Sequence, residues 1–116
     1  MKELEWLGSS KKDLMEFPKD VIQEVGYALY LAQKGEHYTK TKPFKGCGSG
    51  VYEIATEYDK NAYRAIYIVS VGDTVYVVHC FQKKSKRGIK TPKEEIEVIK
   101  QRLKLLRSAR GNNYGT

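Results

Sequence analysis

Apolar positions along this chain follow two periods, and the alternation between them predicts the elements. Lys2 to Leu7 alternates, with Leu4 and Trp6 set against Glu3 and Glu5, which predicts a short strand. Gly8-Ser9-Ser10 breaks it and offers a helix N-cap, with a helical turn or two predicted over Lys11–Phe17 and Leu14 and Phe17 on one face. Pro18, favoured at the first helical position, opens a second predicted helix to about Lys34. Val21, Ile22, Val25, Ala28, Leu29 and Ala32 recur there at helical spacing, and Gly35 supplies the stop. Residues 36–50 carry no period and are expected to form a loop. Three runs rich in Val, Ile and Tyr follow, Val51–Thr56, Tyr63–Val69 and Thr74–Phe81, joined by EYDKNA and SVGD, both short enough for antiparallel hairpins. Thr91-Pro92-Lys93-Glu94 then reads as a capping box opening a helix to about Arg107 or Ser108. Ile96, Ile99, Leu103 and Leu106 form one stripe of it, and residues 109–116 are expected to be a flexible tail. The predicted order is β-α-α-β-β-β-α.

Composition narrows the class. A length of 116 residues supports one domain, placed at residues 1–108, and 41% hydrophobic with 30% charged residues is ordinary for a globular protein. No apolar run nears the ~20 residues a membrane span needs, and MKELEWLGSS lacks a signal-peptide core, so a cytoplasmic protein without membrane contact is expected. Cys47 and Cys80 are too distant for a short metal-ligand spacing, and His37 and His79 are the only histidines. No metal and no small-molecule cofactor is expected. Cys80, inside an apolar run, reads as a small buried side chain, with no disulfide expected.

Charge changes the picture. Residues 1–78 carry 10 basic and 11 acidic groups, whereas residues 79–110 carry 11 basic and 3 acidic. An excess confined to the last third points to a polyanionic partner such as nucleic acid, a ribosome or an acidic protein. A basic helix that merely aids solubility is the alternative.

Three places could carry chemistry. KTKPFKG sets Lys40, Lys42 and Lys45 beside Phe44 and glycines, which suits a phosphate backbone with unstacked bases, or plain solvation. In YRAIYIV, alternation puts Arg64 on the face of Ile66 and Ile68, with Tyr63, Ala65 and Tyr67 opposite. An arginine there is either a structural partner of Glu53 or a phosphate holder. In the third place, Val75, Val77, His79 and Phe81 are expected to share a strand face, followed by Lys83, Lys84, Lys86 and Arg87. No Ser/His/Asp or Cys/His system stands out, and Glu94 and Glu95 suit a helix N-terminus. Cations can still promote RNA cleavage by its own 2′-hydroxyl, by aligning the attack and stabilising the phosphorane. A lysine whose pKa is lowered among cations can also move protons.

GVYEI, YRAIY and VYVVHCFQKKSKRGIKTPKEEIEVIKQRLK resemble the RelE/ParE superfamily, nearest to its phage-derived, HigB-like branch of type II toxins, over roughly Glu5 to Arg107. The resemblance implies an α+β, RelE-like domain with two N-terminal helices and one C-terminal helix around a curved, mostly antiparallel sheet. It also implies a metal-independent, ribosome-dependent mRNA endoribonuclease (an mRNA interferase), neutralised by a helix-turn-helix antitoxin. Carried over by position, Arg64, Lys83 and Lys84 become catalytic candidates, with His79 as an acid or base. Lys86 and Arg87 become RNA or ribosome contacts, joined by Lys42, Lys45 and Lys90. One departure stands out: many relatives place arginine two residues after the strand glutamate, where this chain has Ala55 after Glu53-Ile54. Its role would pass to a cation such as Lys45, or activity would change. A ParE-like gyrase inhibitor that cuts nothing, and a non-catalytic RNA-binding protein, are the rival readings.

Overall fold

A computed structural model describes residues 1–83 and 90–114, with side chains through Ala109. Its elements run β1 (Glu3–Trp6), α1 (Ser10–Met15), α2 (Lys19–Gln33), β2 (Thr41–Pro43), β3 (Val51–Tyr58), β4 (Asn61–Ile68), β5 (Thr74–Lys83) and α3 (Lys93–Tyr114). One five-stranded sheet has the order β1-β5-β4-β3-β2, antiparallel except that β1 pairs with β5 in parallel. The architecture is α+β and agrees broadly with a RelE-like fold.

Differences from the sequence reading have physical causes. β2 was expected to be loop; three residues ending in Pro43 carry no readable period, and proline is tolerated because β2 is an edge strand. The first hairpin is tighter than expected: Tyr58 pairs with Asn61, leaving Asp59 and Lys60 as a two-residue turn with φ of 52° and 68°. Two positive φ values mark a type I′ turn, which matches the twist of the strands it joins. α2 begins at Lys19 with Pro18 at its N-cap, and Gly35 at φ +84° lets the chain turn away. α3 passes its expected end at Ser108 and runs to Tyr114; residues 109–114 hold only one glycine, a weak breaker.

The sheet separates two cores. On one face, Leu14 of α1 and Val21, Val25, Ala28, Leu29 and Ala32 of α2 pack on Ile54, Ala65, Tyr67, Val75, Val77 and Cys80. Burying one such aliphatic side chain contributes roughly 1.5–3 kcal/mol. Ser10 is fully buried and satisfies its hydroxyl by donating to the Val77 carbonyl at 3.1 Å, which ties α1 to β5. On the other face, α3 lays Ile99 and Leu103 against Val51, Ile66, Ile68, Tyr76, Val78 and Phe81. Cys80 is buried as expected; Cys47 is buried too, and both thiols are free.

β5 corrects one expectation outright. Ile66 pairs with His79 but Tyr67 pairs with Val77, so Val78 is an extra residue in the ladder. This β-bulge flips the alternation. Val75 and Val77 face α2, whereas Phe81 faces the α3 side, so the four residues expected on one face are split by the bulge. Among the described residues no helix is long and apolar enough to cross a membrane.

Candidate functional site

α3 covers only part of its face of the sheet. Toward the β3–β4 turn, that face carries Glu53, Ala55, Arg64 and, after the bulge, Phe81 and Lys83. The ladder sets Ala55 across from Arg64, Arg64 across from Phe81, and Ala62 across from Lys83. Glu53 is 5% exposed and sits diagonally from Arg64, as the alternation of YRAIYIV requires.

The Glu53 carboxylate is the hub. Arg64 Nε lies 3.3 Å from Glu53 Oε2, and Lys42 Nζ lies 3.7 Å from Glu53 Oε1. Arg64 Nη1 donates to the Tyr63 carbonyl at 3.0 Å and reaches the Thr56 carbonyl at 3.5 Å, which fixes the guanidinium plane. Among the described residues its Nη2 has no hydrogen-bond partner. Lys83 is 6% exposed. Desolvation, and then the charge of Arg64, hold its pKa below the usual lysine value, with Glu53 opposing and Lys42 adding to the effect. Lys42 and Arg64 thus pair with one buried carboxylate, and Lys83 lies on the same sheet face beyond Arg64.

A cation reaches this face from the edge strand rather than from position 55. Ala55 lies beside Arg64, and the edge strand sets Lys42 directly across from Glu53. Lys42, rather than Lys45, makes the ion pair; Lys45 is exposed in the turn after β2, and Lys90 is exposed just before α3. Lys84, Lys86 and Arg87 lie outside the described residues.

His79 sits further along β5, its ring stacked on Phe81 with centroids 5.1 Å apart. Its Nε2 meets Glu95 Oε1 at 2.6 Å, and Arg102 Nη1 reaches its Nδ1 at 3.4 Å. Arg102 also donates to the Val78 carbonyl at 2.9 Å and to Ser9 Oγ at 3.1 Å, and Ser9 Oγ in turn donates to Asp13. Gly8, at φ +53°, makes room for that arginine; a Cβ there would meet its Nε at 2.5 Å. An Nε2–H tautomer donating to Glu95 and accepting from Arg102 satisfies both ring nitrogens. His79 therefore joins β5 to α3, and Glu95, read from sequence as a helix-terminus charge, is its partner.

The residue that sequence reasoning undervalued is Glu53, taken only as a structural partner for Arg64. The signal was present, since alternation places the two on one face. Its burial and its second cation were not readable. A fixed guanidinium, two lysines and a carboxylate can hold a phosphodiester and move a proton beside it. Among the described residues no three His, Cys, Asp or Glu side chains gather as metal ligands.

No curated protein matches this chain. The family model described as Phage derived protein Gp49-like (DUF891) matches residues 12–104, from within α1 to the middle of α3, and with them Arg64, Lys83 and Glu53. The protein belongs to this phage-derived Gp49-like family, which is RelE/toxin-like in character.

Proposed function

We propose that this protein is the toxin of a type II toxin–antitoxin pair of the HigB-like branch and that it cleaves messenger RNA on the ribosome. The observation that carries the reading is the gathering of Lys42, Arg64 and Lys83 on the sheet face of the buried Glu53 carboxylate, at the end that no described helix covers. The family membership, the fold and the basic last third of the chain support it.

Arg64 would hold the scissile phosphate through Nη2, which has no partner among the described residues, and stabilise the phosphorane. Glu53 would accept the 2′-hydroxyl proton as the 2′-oxygen bonds to phosphorus. The P–O5′ bond then breaks, and the leaving oxygen takes a proton from Lys83, whose lowered pKa suits it to the task. The products are a 2′,3′-cyclic phosphate and a 5′-hydroxyl, so no external reductant or metal enters the balance. His79 is assigned to holding α3 in place. Lys84 belongs to the same basic run as a further phosphate contact, with Lys86, Arg87, Lys90 and Lys45 as ribosome contacts. A helix-turn-helix antitoxin would neutralise the protein, and the cytoplasm would be its compartment.

The test is a bacterial cell-free translation reaction with mRNA 5′ ends mapped by primer extension, with and without ribosomes. Ribosome-dependent cuts are expected, and Arg64→Ala should lower their rate by ~10²-fold or more. Intact mRNA with normal translation would overturn the reading and move attention to gyrase.

A further inference from the structure

We infer that the C-terminal half of α3 and the turn after β2 form a second anion seat, apart from the Glu53 cluster, which docks the phosphate backbone of a folded RNA. Lys100, Lys104 and Arg107 stand at i, i+4 and i+7, so they share one stripe of the helix. With Gly46, Cys47 and Leu103 they line an open groove of about 510 Å³. Among the described residues none of these three cations has a carboxylate within ion-pairing distance, whereas Lys34, Lys40 and Lys42 each do. Like charges at i, i+4 repel, a cost that an anionic occupant removes. From Val98 to Tyr114 the helix contains no acidic residue.

The turn is shaped to seat the arginine. Arg107 Nη2 donates to the Cys47 carbonyl at 2.8 Å. Gly48, at φ +91°, lacks the Cβ that would stand 2.6 Å from that nitrogen. The rest of the guanidinium fork stays available for a phosphate. Buried Leu103 and Cys47 form the floor.

Placement sets the size of the ligand. Arg64 and Ile68 are four residues apart on β4, ~13 Å, and the groove lies beyond Val51, the partner of Ile68. At about 3.4 Å per stacked nucleotide, one phosphate at Arg64 and another in the groove need at least about four steps, or a folded RNA that presents both. This inference rests on the RNA-directed part of the proposed function and not on cleavage.

The experiment titrates the full-length protein with a defined RNA hairpin and with an RNA trinucleotide over a salt series, comparing the parent with the double variant Lys100→Gln/Lys104→Gln. Both lysines are exposed, so folding should survive. The double variant is expected to bind the hairpin about tenfold more weakly, to lower the slope of log K against log salt by about 1.4–1.8, and to leave trinucleotide binding unchanged. Unchanged hairpin affinity and slope would overturn the inference. So would polyglutamate competing as well as the hairpin at equal charge, because the groove would then favour an acidic protein. A parent protein that leaves mRNA intact in the translation reaction, but whose double variant loses hairpin affinity, keeps the second seat and overturns only the proposed cleavage.

Discussion

The two faces of the sheet are built from the same alternation of side chains, yet they are finished differently. On the α1/α2 face, helices cover the strands from β3 to β5, and the buried side chains are almost all apolar. On the other face, α3 covers the Ile66, Ile68 and Tyr76 end, and among the described residues no helix covers the Glu53, Arg64 and Lys83 end. Charge accumulates where the cover stops. An unpartnered charge under a helix would lose hydration without return, whereas here Arg64 and Lys42 offset the hydration that Glu53 loses on burial. The comparison teaches that the site is a property of where α3 is not.

Mutations can break the contrast, beginning with the dry face. Leu29→Ala, at a position 1% exposed, should lower stability by about 2–5 kcal/mol in urea unfolding. On the open face the same measurement on Glu53→Leu should show a smaller loss, about 1–3 kcal/mol, because Arg64 and Lys42 lose their shared partner but Lys42 can turn to water. Equal losses at the two positions would mean that both faces are equally dry. At the boundary, Glu95→Ala should cost about 1 kcal/mol and speed amide hydrogen exchange in the first turns of α3, since it removes the partner of His79 Nε2.

The pH dependence of Lys83 sharpens the comparison further. Its folded pKa lies below the ordinary 10.5, so between those two values the unfolded chain binds more protons than the folded one. Stability then rises with pH across that window, as the burden of the buried charge is relieved. Lys83→Met should therefore be more stabilising, relative to the parent, at neutral pH than near pH 10. A difference independent of pH would show that Lys83 is well solvated. The smallest effect belongs outside both faces: Lys40→Ala, removing an exposed ion pair with Glu24 at 3.2 Å, should move stability by less than about 0.5 kcal/mol.

The legibility of each part follows from how local its cause is. α2 was readable because Val21, Val25, Ala28, Leu29 and Ala32 repeat at the helical period and are buried at that period. The sides of β4 were readable for the same reason, and Arg64 stands opposite Tyr63, Ala65 and Tyr67 as alternation demands. β5 was not, because Val77 and Val78 are both apolar and both buried. With no polar residue to mark the phase, the bulge leaves no trace in the pattern, and every side chain after it changes face.

By itself, then, the sequence determined the helices, the three long strands, the basic last third and the side of β4 on which Arg64 lies. These depend on neighbours a few residues apart. Tertiary structure alone decided that Lys42 reaches Glu53 from an edge strand, that Lys83 arrives on their side through the bulge, and that His79 is engaged by Glu95 and Arg102. Those outcomes depend on register and on where α3 lies across the sheet. Both are set by packing between segments far apart in the chain, and no local period records them.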